Sequence, residues 1–170
     1  AIVGGAYPLK SVDYEAVADL VRAGGALTAS DEIVEAASHR YCIEARQTSP
    51  LEDGFLRVDY LGTGFLLIER AAIEQLARAA APYVNDVVGY ESAALDHELA
   101  TPLEFRDLFA TEIDPDTRRY LSEDYAFCRR WRALGGEIHL DVTLPLRHTG
   151  SHEHRGHVGY FLERLGVLTR

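Results

Sequence analysis

The chain has 170 residues, with 17 Lys and Arg against 27 Asp and Glu, 47% apolar residues, two Cys and no Met. That balance describes one globular domain over residues 1–170 and excludes disorder, a collagen-like repeat and a disulfide scaffold. No apolar run approaches the roughly 18 residues of a membrane span, and no basic segment followed by an apolar stretch marks a signal peptide.

A chain that opens on AIVGGAYPLK without Met reads as the remainder of something longer. Its acidity is uneven. Residues 1–110 carry 8 basic and 18 acidic side chains, whereas residues 111–170 carry 9 of each and five of the seven His. An anionic ligand such as a nucleotide diphosphate meets less repulsion in the C-terminal third. Nucleic-acid binding is disfavoured, because it requires a basic excess. Cys42 and Cys128 form no CxxC, the usual state of reduced packing cysteines in a cytoplasmic protein, although a disulfide between them stays open.

Ile2 and Val3 read as a short buried strand before a Gly-Gly turn and Pro8. Tyr14, Val17, Ala18 and Val21 follow helical spacing over 13–22, closed by Gly24-Gly25, and a weaker helix follows over 31–37 with Ser30 as N-cap. Strands are expected at 40–46, 55–60 and 64–68, the last two separated by Gly62-Thr63-Gly64. A helix covers 71–81, closed by Pro82. Residues 83–120 are the least regular segment, a variable loop or lid with one strand candidate at 103–109. Ser122 then caps a helix whose buried stripe is Tyr125, Phe127, Cys128, Trp131 and Leu134, stopped by Gly135-Gly136. A strand over 137–146, a Gly/His-rich loop over 148–159 and a short amphipathic tail complete the chain. The alternation of strands and helices predicts an α/β fold.

Four features carry chemistry. Glu123 and Asp124 open a helix, where carboxylates complement the dipole; Asp124 there is either a cap or a base for an acceptor hydroxyl. His148, His152, Glu153, His154 and His157 crowd into ten residues, either a solvated loop or ligands for a borderline divalent ion, with His148 best placed directly after a strand. Gly62 and Gly64 around Thr63 mark a bulge or a close backbone approach to a ligand, without the form of a P-loop or dinucleotide fingerprint. Arg129, Arg130 and Arg132 form either a solvated basic face or a counter-charge for a diphosphate.

The order GGAYPLK, DYLGTGFLLIER, YLSEDYAFCRRWRALGGEIHLDVTLPLRHTGSH resembles the C-terminal, acceptor-side half of bacterial GT-A-type, family 2-like glycosyltransferases. The resemblance implies a partial GT-A-like mixed sheet flanked by helices, and transfer of a sugar from a nucleotide-sugar donor to a saccharide or other hydroxyl acceptor, with inversion. By position it makes Asp124 the catalytic base, with Glu123 beside it. Gly62, Thr63 and Gly64 line the cleft, and Arg129, Arg130 and Trp131 sit on the helix that braces the substrates. His148, with His152, belongs to the site of a divalent Mn2+ or Mg2+ on the donor diphosphate. The family's D-x-D and nucleotide-binding half would precede Ala1. Asp114-Pro115-Asp116 has that spacing but comes late in the order. The isolated chain is therefore expected to be inactive, with a sheet edge or face open to pairing in a homo-oligomer. A second reading is a non-catalytic metal- or ligand-binding module built on the His148–His157 loop. Tight Zn2+ binding favours the module, and weak Mn2+ binding strengthened by UDP or GDP favours the enzyme. A metal-dependent hydrolase on the same histidines is a third, for which the spacing assembles no ligand set.

Overall fold

A computed structural model describes residues 1–23, 31–45, 50–84 and 104–168. The first half holds β1 (Ile2–Gly4), α1 (Tyr14–Arg22), α2 (Asp31–Ala37), β2 (Ile43–Ala45), β3 (Leu51–Glu52) and β4 (Phe55–Leu61). A 3-10 turn (Thr63–Phe65), β5 (Leu66–Ile68), α3 (Arg70–Ala79) and β6 (Pro82–Val84) follow. After residue 103 come β7 (Glu104–Arg106), β8 (Glu112–Ile113), β9 (Tyr120–Leu121) and α4 (Glu123–Ala133). The chain ends in β10 (Ile138–Asp141), β11 (Arg147–Thr149), β12 (Glu153–Arg155) and α5 (Val158–Arg164).

The fold is α/β. A mixed sheet runs in the order β2-β4-β10-β1-β5, with β3 also paired to β4. Among the described residues, β1 and β10 pair parallel and the other strands of the sheet join antiparallel. Register sets the core. Ile2 lies opposite Ile138, Ile138 opposite Val58, and Leu140 opposite Leu56, and all five are buried on one face. The alternate residues Val3, Arg57 and His139 emerge on the other face with greater exposure, the period-two consequence of the pleat. Helix α4 packs on the buried face through Ala126, Phe127, Cys128 and Trp131. At about 1.5–3 kcal/mol for each large apolar side chain removed from water, this layer is a main source of stability.

Capping explains where the helices stop. Asp13 accepts the Ala16 N–H at the start of α1. Gly135, with φ +82°, turns the chain out of α4 in a conformation that favours glycine. The expected side-chain cap at Ser122 takes another form: its hydroxyl donates to the Asp124 carboxylate, leaving the residue extended without a capping bond of its own. The strand expected over 137–146 ends at Asp141, whose carboxylate accepts both the backbone N–H and the hydroxyl of Thr143. The loop expected over 148–159 contains the hairpin β11–β12, with His148 opposite His154. Residues 64 and 65 belong to the 3-10 turn, so the strand expected from residue 64 begins at Leu66.

Within the segment expected to be irregular, β6 pairs with β7 and β8 with β9. The strand candidate over 103–109 contracts to Glu104–Arg106. Asp114 turns the β8–β9 hairpin by accepting the N–H groups of Asp116 at 2.8 Å and Thr117 at 2.9 Å. Asp114-Pro115-Asp116 is therefore a turn in this fold. The expected stop at Gly24-Gly25, the cap at Ser30 and the irregular stretch 85–103 lie outside the described residues. Among the described residues, no helix is long and apolar enough to cross a membrane.

Candidate functional site

The N-terminus of α4, the end of β4 and the turn after β1 converge. Asp124 stands in the first turn of α4, where a carboxylate complements the helix dipole. Its Oδ1 accepts the Tyr125 N–H at 2.9 Å and the Ser122 hydroxyl, which fixes the carboxylate plane. Its Oδ2 faces the Cys42 thiol at 3.9 Å, a weak contact that leaves the oxygen largely free to accept a proton. The same thiol lies 3.9 Å from the Tyr125 hydroxyl. The Tyr125 ring stacks on Tyr60 of β4, with centroids 4.7 Å apart. Burial pushes the Tyr125 hydroxyl well above the ordinary phenol value, and burial followed by the nearby Asp124 raises the Cys42 thiol.

Tyr7, from the GGAYP turn, completes the cluster. A Cβ on Gly62 would lie 3.0 Å from the Tyr7 hydroxyl, and a Cβ on Gly64 only 2.4 Å from Cε1 of the ring. The two glycines therefore admit the Tyr7 ring against the backbone. The sequence leaves a bulge and a close backbone approach to a ligand both open there; what approaches is a side chain of the protein itself. Burial is the main reason the Tyr7 hydroxyl is raised, followed by Cys42 and Asp124, with exposed Glu123 adding a smaller effect. The Gly64 backbone hydrogen bond pulls in the opposite direction.

His148 lies on the other edge of the Tyr7 ring, with centroids 5.1 Å apart and planes at 75°. Its Nδ1 is 2.8 Å from the Pro8 carbonyl, which can only accept, so Nδ1 carries the proton. That leaves the Nε2 lone pair available, the arrangement in which a metal-binding histidine is usually held. A cavity of about 360 Å³ opens here, lined by Tyr7, Gly64, Phe65, Leu146, Arg147 and His148. A second, of about 530 Å³, lies over Ser122 and Tyr125 and is bordered by Glu44, Arg119 and Tyr120.

The remaining sequence-singled residues are placed as follows. Thr63 is half-buried in the 3-10 turn. His152 contacts the His154 ring at 5.1 Å. Arg129 pairs with Glu112 at 2.8 Å, and Arg130 donates to the carbonyls of Leu108 and Ala110 and to Glu112. Arg132 reaches Asp59 at 3.1 Å. The Trp131 indole N–H donates to the Glu137 carbonyl at 2.9 Å, with the ring against Gly136. All four helix residues are committed to protein partners that brace α4. Among the described residues, no three His, Cys, Asp or Glu side chains stand converged around a point where a metal ion could bind. Tyr7, within the GGAYPLK run, and Cys42, which reads from the sequence as a packing cysteine, have no part in the sequence-predicted site; the structure adds them to it.

Comparison with protein-family models, with curated proteins and with solved structures finds no match to this chain.

Proposed function

We propose that this domain is the acceptor-side portion of an inverting glycosyltransferase, with Asp124 as base. The observation that carries the reading is the grouping around Tyr7. The Tyr7 ring meets His148 edge-on and sits against the Gly62–Gly64 turn. After burial and Cys42, the charge of Asp124 also raises the Tyr7 hydroxyl, so the two residues that the resemblance assigns to one site both act on one tyrosine. In the reaction, the acceptor oxygen attacks the anomeric carbon while Asp124 Oδ2 takes its proton. The sugar–phosphate bond breaks, and the diphosphate leaves with the bonding electron pair. Ser122 and the Tyr125 N–H hold Oδ1, so Oδ2 meets the acceptor in a fixed orientation.

The His148 Nε2, with Nδ1 engaged by Pro8, suits one ligand position for a divalent ion. Mn2+ or Mg2+ bound there would neutralise charge on the departing diphosphate. The two cavities provide room on either side of the chemistry, and the free thiols of Cys42 and Cys128 accord with a cytoplasmic setting.

The test is sugar transfer from UDP- or GDP-sugars by the full product of the gene, wild type against Asp124→Asn. A general base contributes about 10²–10⁴-fold. The reading predicts a fall in kcat of at least a hundredfold with donor KM little changed. Near-normal turnover in Asp124→Asn, or no transfer from any nucleotide sugar, would sink it.

A further inference from the structure

The second cavity, of about 530 Å³, lies against the residues that hold Asp124. It is bordered by Ser122, whose hydroxyl donates to the Asp124 carboxylate, and by Tyr125, whose N–H does the same. Its volume falls within the range of small-molecule sites, about 300–1,000 Å³. Two elements far apart in sequence form its walls: Ile43 and Glu44 of β2, the outermost strand of the sheet, and Arg119, Tyr120 and Leu121 at β9.

The lining is chemically selective. Tyr120 is 65% exposed, and Tyr125, its ring backed by Tyr60, adds a second aromatic. Glu44 and Arg119 are exposed, and among the described residues neither makes an ion pair, unlike Arg129, Arg130 and Arg132 on the adjoining helix. Burial and then Cys42 raise the Tyr125 hydroxyl, and the Glu44 carboxylate adds to the effect, so its charge is felt at that hydroxyl.

A sugar ring presents the complementary surface. Its C–H faces suit the negative face of a tyrosine ring. Its hydroxyls both donate and accept, which engages a carboxylate and a guanidinium together. A phosphorylated or carboxylated acceptor is disfavoured, because Glu44, Glu123 and Asp124 outnumber Arg119 around this cavity. The first cavity, lined by Arg147 and His148 and by no carboxylate, suits an anionic group better. We propose that the second cavity is a saccharide subsite: the acceptor is an uncharged sugar seated on Tyr120 and Tyr125, its hydroxyls bound by Glu44 and Arg119. The acceptor role rests on the transferase reading, whereas the binding is measurable without it.

The test is a ¹H–¹⁵N titration of the 170-residue chain, without donor, with glucose, galactose, mannose, N-acetylglucosamine and their β-linked disaccharides. At least one should bind and shift the amides of Glu44, Tyr120 and Tyr125. Tyr120→Ala should weaken it about tenfold, the upper scale of an aromatic contact. Glu44→Ala and Arg119→Ala should each weaken it about tenfold through a lost charged hydrogen bond. All three side chains are exposed, so the variants should keep the wild-type Tm. Tyr14→Ala, on the exposed side of α1, should change nothing. The 6-phosphate of a sugar that binds should bind more weakly. No saccharide binding, binding indifferent to all three substitutions, or preference for the phosphorylated sugar would overturn the proposal. Transfer by the full gene product to a peptide or phosphorylated acceptor, with no saccharide bound, would sink it and leave the transferase reading standing. Saccharide binding at these residues without transfer from any nucleotide sugar would sink the transferase reading, and with it the acceptor role.

Discussion

The Tyr7 ring stands edge-on to the His148 ring, 5.1 Å between centroids, while its hydroxyl faces the Gly62–Gly64 turn. One side chain thus links the strand–turn at the N-terminus to the C-terminal hairpin and the end of β4. Any change that displaces this ring reaches the surroundings of His148 and Asp124 together.

Gly64→Ala tests that link. The added Cβ would lie 2.4 Å from Tyr7 Cε1 and 2.8 Å from Cζ, distances that ring and backbone can relieve only by moving. Overpacking of this kind costs about 1–3 kcal/mol. Urea unfolding should show that loss, and in a Tyr7→Ala background the same substitution should cost much less. Equal costs in the two backgrounds would mean that the ring is not what the glycine accommodates.

The sequence made much of this fold legible where burial imposes a period. Helix α4 buries Phe127, Cys128 and Trp131 of its expected stripe, while Tyr125 is half-buried and Leu134, at the C-cap, is exposed. Strand β4 follows its alternation of Leu56 and Val58 with Arg57 and Asp59. Elements too short to carry a period were not legible. The three-residue strands β11 and β12 are built from Arg, His, Thr and Glu, which resemble loop sequence. Asp53-Gly54 is a turn signal of the kind that joins paired strands. Both residues adopt positive φ, 50° and 86°, in the tight turn joining β3 to β4. In the site, Asp124 and His148 stood out through their flanking motifs. Tyr7 sits in the GGAYPLK run and Cys42 reads as a packing cysteine, but neither has a readable role there, because contacts between segments far apart in sequence leave no local spacing.

Asp13 should make stability depend on pH. Its carboxylate accepts from Arg40 at 2.8 Å and from the Ala16 N–H at 3.1 Å, and these bonds, Arg40 first, hold it below the ordinary value of 3.8. A depressed carboxyl contributes stability that is present above its unfolded value and lost as pH falls through the folded one. Asp13→Asn keeps a capping oxygen but loses the charge, and Arg40 is exposed. It should therefore cost under about 1 kcal/mol at pH 7. Urea midpoints of wild type and variant should converge below pH 4. Asp13→Ala should cost about 1 kcal/mol or more through the lost cap, at every pH.

Arg130 fastens the 108–112 segment to α4 through two carbonyls and a carboxylate. The planar guanidinium reaches Leu108, Ala110 and Glu112 at once, which a lysine ammonium on a flexible stem does not match. Arg130→Lys should cost about 2 kcal/mol, the scale of a hydrogen bond to a charged group. Amide exchange should speed up in residues 108–113 before it changes in β4 or β10. Unchanged exchange there would show that the segment is held by its other contacts.

Cys128 should be inert until the chain unfolds. It is fully buried beneath the sheet, its thiol donates to the Leu61 carbonyl at 3.5 Å, and burial raises it to about 11. At pH 8 the thiolate fraction is therefore about a thousandfold below unity. Cys42 is half-buried, and its thiol is raised chiefly by the same desolvation and then by Asp124. Labelling with a thiol-reactive disulfide at pH 8 should proceed in two separated phases, Cys42 first. Cys128 should follow at a rate set by unfolding and rise with urea as the unfolded population rises. Mass mapping of the first label distinguishes them. Prompt labelling of Cys128 in the native state would mean that α4 opens locally, and the brace behind Asp124 would then be looser than its packing indicates.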